Sequence, residues 1–287
     1  MIGTRQVINI GFDTTSLCYL QTGIGSYTAN LFECLRRNPT IQITPLSHCI
    51  SPHRWFVNKT IWMQIILPWQ LKTSHLDLCH FTNNVAPIRM PCPTVITIHD
   101  MTLWLFPEFH YSKRLISMRP IIPPAAHRAA AIITVSQSTK ADIVRILGIP
   151  ADKVHVIYEA PSADFHPLPM DAALEQVRRS YHLPDRYILF VGTLEPRKNL
   201  VRLLQAFEQL HRHRVIPHHL VIVGAKGWKT REIYQTIEQL QLQDVVHMLG
   251  YVSQSDLVAI FNLADVLSFP SLYEGFGLPV VEAMACG

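Results

Sequence analysis

The stretch YILFVGTLEPRKNLVRLLQAFEQL, residues 187–210, contains in one piece the unit from which the fold is built. Its first five residues are apolar and end at a glycine, which predicts a buried β-strand at Tyr187–Val191. The next eight residues include Gly192 and Pro196, a composition typical of a loop. Apolar residues then recur at 200, 203, 204 and 207, the spacing of one helical face. Strand, loop and helix in this order predict a parallel α/β sheet.

The same alternation extends in both directions from this stretch. Short apolar runs bounded by turn residues predict further strands, and amphipathic segments between them predict helices. Repeated strand–helix units favour doubly wound parallel sheets. The predicted strands are Val7–Gly11, Ile41–Leu46, Leu78–Phe81, Val95–Ile98, Ile132–Val135, Val154–Ile157, Leu220–Val223, Val245–Leu249 and Val266–Phe269, and the predicted helices are Gly25–Arg37, Gln137–Leu147, Leu200–Leu210, Arg231–Leu240 and Ser255–Leu263.

A proline-rich segment divides the chain into two halves. Pro167, Pro169 and Pro184 flank a charged helical stretch, Asp171–Tyr181, and predict a linker at 166–183. We therefore expect one doubly wound domain at 1–165 and a second at 184–287, with a cleft between them. Only four strands are predicted after Pro184 before the sequence ends at Gly287, so we expect the second sheet to be incomplete.

Composition indicates a globular protein with a mild positive charge. Of the 287 residues, 48% are hydrophobic and 16% are charged, which argues against disorder. The formal charge of +4 suits an anionic ligand or an anionic membrane surface, but no Lys/Arg run indicates nucleic-acid binding. The six cysteines match no metal-binding spacing and predict reduced, mostly buried thiols in the cytoplasm; they are Cys18, Cys34, Cys49, Cys79, Cys92 and Cys286.

One apolar stretch raises the question of a membrane. The N-terminus has no continuous apolar core of a signal peptide, and no run reaches the ~18 apolar residues of a membrane span. The stretch Trp55–Leu71 is rich in Trp, Ile and Leu but is interrupted by Lys59 and Pro68. It predicts either a buried helix or loop, or an interfacial patch at a membrane that holds a lipid-linked acceptor.

Two motifs in the first half lie where ligands bind in such sheets. Gly23 to Gly25 follow the first predicted strand, and glycines before a helix let the backbone approach a phosphate. They fit equally well a tight turn without a ligand. His99 and Asp100 follow the strand that ends at Ile98. They predict either a histidine that bonds a substrate hydroxyl and is oriented by Asp100, or a capping aspartate beside a satisfied histidine.

The loop after Val191 carries two adjacent cations. Arg197 and Lys198 precede the helix that begins at Leu200, where the helix dipole disfavours positive charge. Two cations at that position therefore indicate a diphosphate ligand, for which arginine offers a fork and lysine a point charge. Glu195 offers the alternative that Arg197 forms a structural ion pair.

The segment SLYEGFGLPVVE, residues 271–282, is the strongest motif. Glu274 lies in a glycine-bearing loop after a predicted strand, and Pro279 suits the first turn of the next helix. Loop N–H groups can point at a ligand while Glu274 accepts hydrogen bonds from sugar hydroxyls. Glu282, eight residues further on, can accept a hydrogen bond from a ribose. The alternative is a simple glycine turn followed by a first-turn acid.

These motifs together resemble glycosyltransferase family 4. The resemblance rests on YEGFGLPVVEAMACG, GTLEPRKNL, VITIHD and GIGSY, which occur in the family's order and spacing and cover nearly the whole chain. It implies a retaining enzyme of the GT-B fold, an α/β architecture of two Rossmann-like domains facing across a cleft. The N-terminal domain would be the acceptor side, and the second would bind the nucleotide sugar and be C-terminally truncated, as in a fragment.

The resemblance also implies roles for single residues. Glu274 would bind hydroxyls of the donor sugar, Glu282 the ribose, and Lys198 with Arg197 the leaving diphosphate. Gly25 would approach that phosphate, and His99 with Asp100 would lie near the transferred sugar. Some relatives carry an arginine where Thr193 stands, so one phosphate contact is absent. The backbone that would line the sugar and diphosphate belongs to Gly275, Phe276, Gly277 and Leu278.

The implied reaction is transfer of a hexose, for example mannose, from a nucleoside-diphosphate sugar to a glycan or lipid-linked acceptor in polysaccharide assembly. The sequence shows no pair of carboxylates of the hydrolase type and no metal site, so we expect no cofactor and no metal, with Lys198 in the metal's role. We expect a cytoplasmic location, with peripheral contact at the inner face of the membrane. Two alternatives stay open: an inactive truncated paralogue, and an epimerase or phosphorylase of the same fold.

Overall fold

The computed structural model describes residues 7–18, 23–48 and 58–287. The chain divides into two compact units, Met1–Glu159 and Ala160–Gly287. The segment predicted as a linker, 166–183, belongs to the second unit, where Leu174 and Leu183 are buried in the core. Burial of these two leucines explains why the boundary lies before the prolines rather than among them.

The first unit is built on a six-stranded parallel sheet with the strand order β2-β1-β3-β4-β5-β6. The strand order reverses direction between β1 and β3. In open α/β sheets such a switch point is where ligands bind, at the carboxyl ends of the strands. The strands are β1 (Ile8–Asp13), β2 (Ile41–Leu46), β3 (Leu78–Phe81), β4 (Thr94–Ile98), β5 (Ala131–Thr134) and β6 (Val154–Val156).

Helices cover this sheet and bury its apolar residues. The longer ones are α1 (Gly23–Arg36), α2 (Ser112–Met118), α3 (Ile122–Arg128) and α4 (Gln137–Leu147). In α4, the Ser136 hydroxyl accepts from the N–H of Thr139, and Gly148 ends the helix with a φ of 65°. The predicted bounds of α4 are confirmed because both of its ends carry a capping residue that the sequence displays.

The sequence did not predict α2, α3 or the bounds of the helical segment at 59–73. This segment runs through α-, π- and 3-10-helical turns from Lys59 to Thr73. Trp62, Met63 and Leu67 on one side are buried, whereas Ile61, Ile65 and Trp69 on the other are 50%, 64% and 67% exposed. The predicted stretch is therefore a helix buried on one side; its residues 55–57 lie outside the described residues.

The five cysteines among the described residues form no disulfide, and the prediction that most of them are buried is wrong. Cys79 is fully buried, whereas Cys18 and Cys34 are exposed and Cys92 and Cys286 are half-buried. Cys49 lies outside the described residues. Cys18 lies in a short 3-10 helix, and Cys34 lies on the solvent side of α1. The spacing of apolar residues in the sequence did not reveal that these two positions are exposed.

The second unit is built on a four-stranded parallel sheet with the order β10-β7-β8-β9. Its predicted strands and helices are confirmed with end shifts of a few residues. The strands are β7 (Tyr187–Val191), β8 (His219–Val223), β9 (Val246–Gly250) and β10 (Val266–Leu267), and the helices are α5 (Ala172–Ser180), α6 (Leu200–Arg212), α7 (Arg231–Gln239), α8 (Gln254–Leu263) and α9 (Leu278–Cys286).

Two glycines allow the loops after β7 and β8 to lie in direct contact. Gly192 and Gly224 have φ values of 156° and 152°, which side-chain-bearing residues rarely adopt. A Cβ atom on Gly224 would lie 1.9 Å from the carbonyl oxygen of Gly192. The backbone N–H of Gly192 in turn donates to Val223. The close approach of these two loops therefore requires glycine at position 224.

We predict that Gly224→Ala strongly destabilises the second unit, because the added Cβ must displace the backbone of Gly192. The matched control is Gly148→Ala, where φ is also positive but no atom lies within 4 Å of the new Cβ. The control should cost about 1–2 kcal/mol, the strain of a left-handed alanine. Calorimetric unfolding measures both; equal losses in the two variants would show that the close contact does not constrain the loop.

Candidate functional site

Loops at the carboxyl ends of β7, β8 and β10 form the candidate site of the second unit. The loop after β7 continues the sheet hydrogen bonding, since the Leu194 N–H donates to the carbonyl of Ala225. It then forms a 3-10 turn, Pro196–Lys198, and Asn199 with a φ of 59° leads into α6. The cations are thereby fixed within one tight turn at the end of a central strand.

Four charged side chains from two loops form a nearly buried cluster. The Lys198 ammonium lies 2.6 Å from Oε1 of Glu274, and Nη1 of Arg197 lies 2.6 Å from Oε2 of the same carboxylate. The guanidinium of Arg197 also pairs with Glu195. The side chains are at most 18% exposed. The two cations and the two carboxylates balance when all four are charged.

The two carboxylates of this cluster respond to burial in opposite ways. At Glu274 burial raises the pKa, but Lys198 and Arg197 together outweigh burial, so the pKa lies below its ordinary value of 4.5. At Glu195 burial is the largest influence and raises the pKa above 4.5 despite the neighbouring Arg197 and Lys198. Glu274 is therefore the carboxylate that the cations hold in its charged form.

Arg197 also fixes the loop that carries Glu274. Its Nη1 donates to the carbonyl of Tyr273 at 2.6 Å, and its own carbonyl accepts from the N–H of Leu272 at 3.0 Å. The Asn199 amide donates to the carbonyl of Pro270 at 3.2 Å. Arg197 thus forms the ion pair with Glu195 that the sequence offered as an alternative. Lys198 instead places its ammonium at the end of the cluster, 5.4 Å from the ring centre of Phe269.

The glycine-bearing loop leads directly into α9. Gly277 precedes this helix with a φ of 105°, no side chain caps its amino end, and Pro279 lies in its first turn. The N–H groups of a helix start attract an anion. Glu282 lies in the second turn of α9, and Gly275, Phe276 and Leu278 lie at the start of the helix or just before it. The structure thus brings Lys198, Arg197 and Glu274 together beside the start of α9.

In the first unit the structure corrects the expected role of Asp100. Its carboxylate accepts from the backbone N–H of Thr102 at 3.0 Å and from the Thr102 hydroxyl at 2.6 Å, so it caps the next turn. The ring of His99 instead meets Glu159, with 3.1 Å between Nδ1 and Oε1. Glu159, rather than Asp100, orients the ring because it is the carboxylate within reach.

His99 is a histidine whose ring nitrogens are both engaged within the first unit. Nε2 lies 2.9 Å from the carbonyl oxygen of Thr82, which can only accept, so Nε2 carries a proton. Nδ1 faces the carboxylate of Glu159. The ring of Tyr27 packs edge-on against the imidazole at 4.8 Å. These contacts occupy the nitrogens that a direct bond to a substrate hydroxyl would need.

A second buried histidine, His80, lies close to His99 and has a lowered pKa. The Nε2 atom of His80 lies 2.8 Å from the hydroxyl of Thr97, which also lies 3.1 Å from the phenol of Tyr27. Burial lowers the pKa of His80 to about 4, and the adjacent His99 adds to this effect. Sequence reasoning missed this network because its members come from α1, β3, β4 and the segment after β6.

Gly25 lies within the first turn of α1 and is buried. The helix begins at Gly23, two residues earlier than predicted, so the glycines form its first turn rather than a preceding loop. Sequence reasoning also missed a cavity of about 180 Å³ in the first unit, lined in part by Asp13, Lys59 and Asn83. The position of Asp13 at the end of the first strand was the available signal.

The described residues contain neither a cluster suited to a metal ion nor a helix suited to span a membrane. Within residues 7–18, 23–48 and 58–287, no cluster of three or more His, Cys, Asp or Glu side chains is arranged to hold a metal ion. In the same part of the chain, no helix has the length and apolar character needed to cross a membrane.

Two family models match the chain, one in each unit. The model described as "Glycosyltransferase Family 4" matches residues 23–160, and "Glycosyl transferases group 1" matches residues 175–287. O-antigen chain mannosyltransferase B of Escherichia coli is 32% identical over 76% of this chain and 57% of its own length. The MMP alpha-(1->4)-mannosyltransferase of Mycolicibacterium hassiacum is 32% identical over 74% of this chain and 51% of its own length. The chain thus spans between half and three fifths of these relatives.

Solved structures share the fold. Sucrose-phosphate synthase of Thermosynechococcus elongatus superposes with a TM-score of 0.73 at 19% identity, over 98% of this chain and 79% of that one. HepE of Anabaena in complex with UDP-glucose gives 0.69 at 19% identity, over 97% and 78%. The expected GT-B class, with two Rossmann-like units, is confirmed.

We predict that Glu274 and Glu195 contribute to stability with opposite pH dependence. A carboxyl group with a lowered folded pKa contributes stability that is complete above its unfolded value of 4.5 and is lost as the pH falls through the folded value. The stability advantage of wild type over Glu274→Gln should therefore shrink on acidification below pH 4.5. For Glu195, whose pKa is raised, the charged form costs stability, so the advantage over Glu195→Gln should shrink as the pH rises above 4.5.

Denaturant unfolding between pH 3.5 and pH 7 measures both differences. If the stability difference from wild type changed with pH in the same direction for both variants, Glu274 would not be the carboxylate that the cations stabilise.

Proposed function

The chain belongs to glycosyltransferase family 4, and we propose that it transfers a hexose, with retention of configuration, from a nucleoside-diphosphate sugar to a glycan or lipid-linked acceptor in polysaccharide assembly. The observation that carries this proposal is the buried pairing of Lys198 and Arg197 with Glu274 beside the start of α9. Buried cations, a carboxylate and the amino end of a helix together suit a ligand that has both a diphosphate and sugar hydroxyls.

We propose a set of donor contacts that the geometry of this cluster and the family resemblance support. Lys198 binds the diphosphate, and Glu274 turns from its internal cations towards hydroxyls of the sugar. The backbone of residues 275–278 lines the sugar and diphosphate, and Glu282 holds the ribose. Arg197 keeps its bonds to Glu195 and Tyr273 and supports Lys198 through charge. Gly25, His99 and Asp100 shape the carboxyl edge of the first sheet.

In the chemical step that we propose, negative charge develops on the leaving diphosphate next to the Lys198 ammonium. The bond between the anomeric carbon and the diphosphate breaks, and its electron pair goes to the phosphate oxygen. The acceptor oxygen forms a bond to the same carbon on the same face, and its proton passes to the leaving diphosphate. A preorganised buried cation stabilises that developing charge more than water does. Lys198 supplies the charge that a metal ion supplies elsewhere, so the proposed reaction requires no metal.

The relatives support mannose as the transferred sugar. Several of those that match are mannosyltransferases, two of them of O-antigen chains. Hexoses differ only in the orientation of hydroxyl groups, so the choice depends on which hydroxyls Glu274 and the adjacent backbone bind. The names of these two relatives refer to O-antigen chains, which motivates the glycan acceptor that we propose.

We also propose that the first unit contacts a membrane peripherally. Ile61, Ile65 and Trp69 form an exposed apolar stripe on the helical segment at 59–73, and Lys72 lies on the same side. Residues 58–74 contain two lysines and no acidic residue. Apolar and basic residues on one helix face suit the interface of an anionic bilayer.

We predict that Lys198→Ala lowers kcat/KM by about a hundredfold or more, because the leaving diphosphate loses its principal cation. Release of nucleoside diphosphate from a panel that includes GDP-mannose measures the reaction, and NMR of the product reports retention. Arg202→Ala, an exposed cation one turn further along α6, is the matched control and should retain wild-type turnover. Wild-type turnover in Lys198→Ala, with retained folding, would refute the proposal.

We predict that Trp69→Ala and Lys72→Glu each weaken binding to vesicles that contain anionic lipids, by about tenfold, while Met170→Ala and Arg37→Glu leave it unchanged. Met170 is as exposed as the stripe but lies in the second unit, and Arg37 is an exposed cation after α1. Sedimentation with vesicles at low and high salt measures the binding. Equal binding by all four variants would exclude the stripe as the contact.

A further inference from the structure

Two cysteines of the first unit lie side by side at the amino ends of neighbouring strands. Cys79 is the second residue of β3, and Cys92 lies two residues before the start of β4. The S–H group of Cys92 donates to Sγ of Cys79, with 3.5 Å between the two sulfurs. The register of the sheet brings them together, because Cys79 pairs with Thr94 and its N–H donates to the carbonyl of Pro93 at 2.9 Å.

The sulfur of Cys79 has a fixed position because a glycine stands opposite it on β1. Gly11 is the register partner of Cys79. A Cβ atom at Gly11 would lie only 2.7 Å from Sγ of Cys79, so this sulfur occupies the space that the absent side chain leaves. Cys79 is 0% exposed, whereas Cys92 is half-buried. The pair therefore consists of one enclosed sulfur and one that a reagent can reach from the solvent.

The half-buried cysteine lies at the end of the connection between β3 and β4. A crossover between two parallel strands usually contains a helix. Residues 82–93, all of which the structure describes, instead form bends without a helix or a strand. The Gln64 side chain holds the middle of this crossover, because it donates to the carbonyl of Ala86 and accepts from the N–H of Ile88. The contact between Cys92 and Cys79 holds its end against β3.

The two sulfurs can form a bond after a small movement. An S–S bond is about 2.05 Å long, so the sulfurs must approach each other by about 1.5 Å. Cys92 can supply this movement because it lies in a bend, while Cys79 is held within β3. The bond would close a loop from residue 79 to residue 92 that contains the whole crossover. Closing such a loop stabilises a fold mainly by restricting the unfolded chain.

The surroundings of the two thiols set the order in which they react. Burial raises the pKa of the Cys79 thiol and Cys92 raises it further, whereas a hydrogen bond with the backbone of Gly11 acts in the opposite direction. The thiolate is the attacking species in thiol–disulfide exchange, so Cys92, which the solvent reaches, reacts first. A Cys92 sulfur that is bonded to another sulfur has no charge to oppose ionisation of Cys79. The second step is therefore easier for Cys79 than a first attack would be.

We propose that Cys79 and Cys92 form a redox-active dithiol, which glutathione disulfide oxidises reversibly to an intrachain disulfide that pins the 82–93 crossover to β3. The Cys92 thiolate attacks glutathione disulfide, so a bond from Cys92 to glutathione forms and one glutathione thiolate leaves. The Cys79 thiolate then attacks the Cys92 sulfur, the protein disulfide forms and the second glutathione thiolate leaves. The two protein thiols lose two protons and two electrons, which convert glutathione disulfide into two molecules of glutathione. None of these steps depends on the transfer reaction proposed above.

The test treats the whole chain with glutathione disulfide, blocks the remaining thiols and identifies tryptic peptides by mass spectrometry. Cleavage after Lys72, Arg89 and Lys113 places Cys79 and Cys92 in separate peptides, 73–89 and 90–113. We expect a disulfide to join these two peptides and dithiothreitol to separate them again. A disulfide from Cys92 to a different cysteine, or glutathione that stays on Cys92 of the wild-type chain, would overturn the proposal.

Three variants separate the two chemical steps. Cys79→Ala keeps the first sulfur and removes the second, so one glutathione should remain bound to peptide 90–113. Cys92→Ser should give neither that adduct nor the joined peptides. Cys34→Ser removes an exposed thiol on α1 and, as the matched control, should form the joined peptides as wild type does. If Cys79→Ala bound no glutathione at Cys92, the proposed order of reaction would be wrong.

Thermal unfolding and hydrogen exchange measure whether the bond pins the crossover. The oxidised chain should unfold about 5 °C or more above the reduced chain, because the disulfide restricts the unfolded state. The amides of residues 82–93 should also exchange more slowly after oxidation. Cys92→Ser should show neither change, which separates the disulfide from other effects of the oxidant. If the joined chain unfolded at the same temperature as the reduced chain and its crossover exchanged equally fast, the disulfide would not act as a brace and the proposal would fail.

Discussion

The arrangement of the second unit depends on two adjacent cations placed just before a helix. Arg197 and Lys198 precede α6, where the helix dipole opposes positive charge, and both are nearly buried. Removing two charges from water costs several kcal/mol per ion unless each finds a partner. Glu195 and Glu274 are those partners. Since Glu274 comes from a loop 76 residues further along the chain, the pairing also draws that loop, and the start of α9 behind it, to the end of β7.

Arg197 and Lys198 have different roles in this cluster. Arg197 bonds to Glu195, to Glu274 and to the Tyr273 carbonyl, and its backbone carbonyl holds Leu272. Its planar fork can satisfy several acceptors at once, which a lysine cannot. Lys198 is a compact charge that can exchange one anionic partner for another. A structural arginine beside an exchangeable lysine explains why the sequence has both residues side by side.

The sequence predicted the strands and most helices because local signals coincide with the tertiary structure. Tyr187–Val191 and Gln137–Leu147 have continuous or periodic apolar residues and clear ends, so their bounds are confirmed. The helices within 112–128 were missed, and the bounds of the helical segment at 59–73 were not predicted, because prolines interrupt their pattern. Contacts such as His99 with Glu159 join residues far apart in sequence, and their geometry depends on how β4 and β6 sit in the sheet. Lys198 and Glu274 were chosen from motifs, but their direct pairing, with Arg197 as brace, required the structure.

The pairing of Glu274 with the cations has a consequence for ligand binding. A diphosphate that approaches Lys198 meets a cation whose charge is already balanced, so it must displace a carboxylate rather than enter an empty positive site. The exchange is favourable only if the released carboxylate gains new partners, since a buried unpaired charge is costly. Sugar hydroxyls on the same ligand supply such partners. A free nucleoside diphosphate lacks them, so with the donor contacts that we propose, the release of Glu274 would favour the intact sugar nucleotide over the free diphosphate.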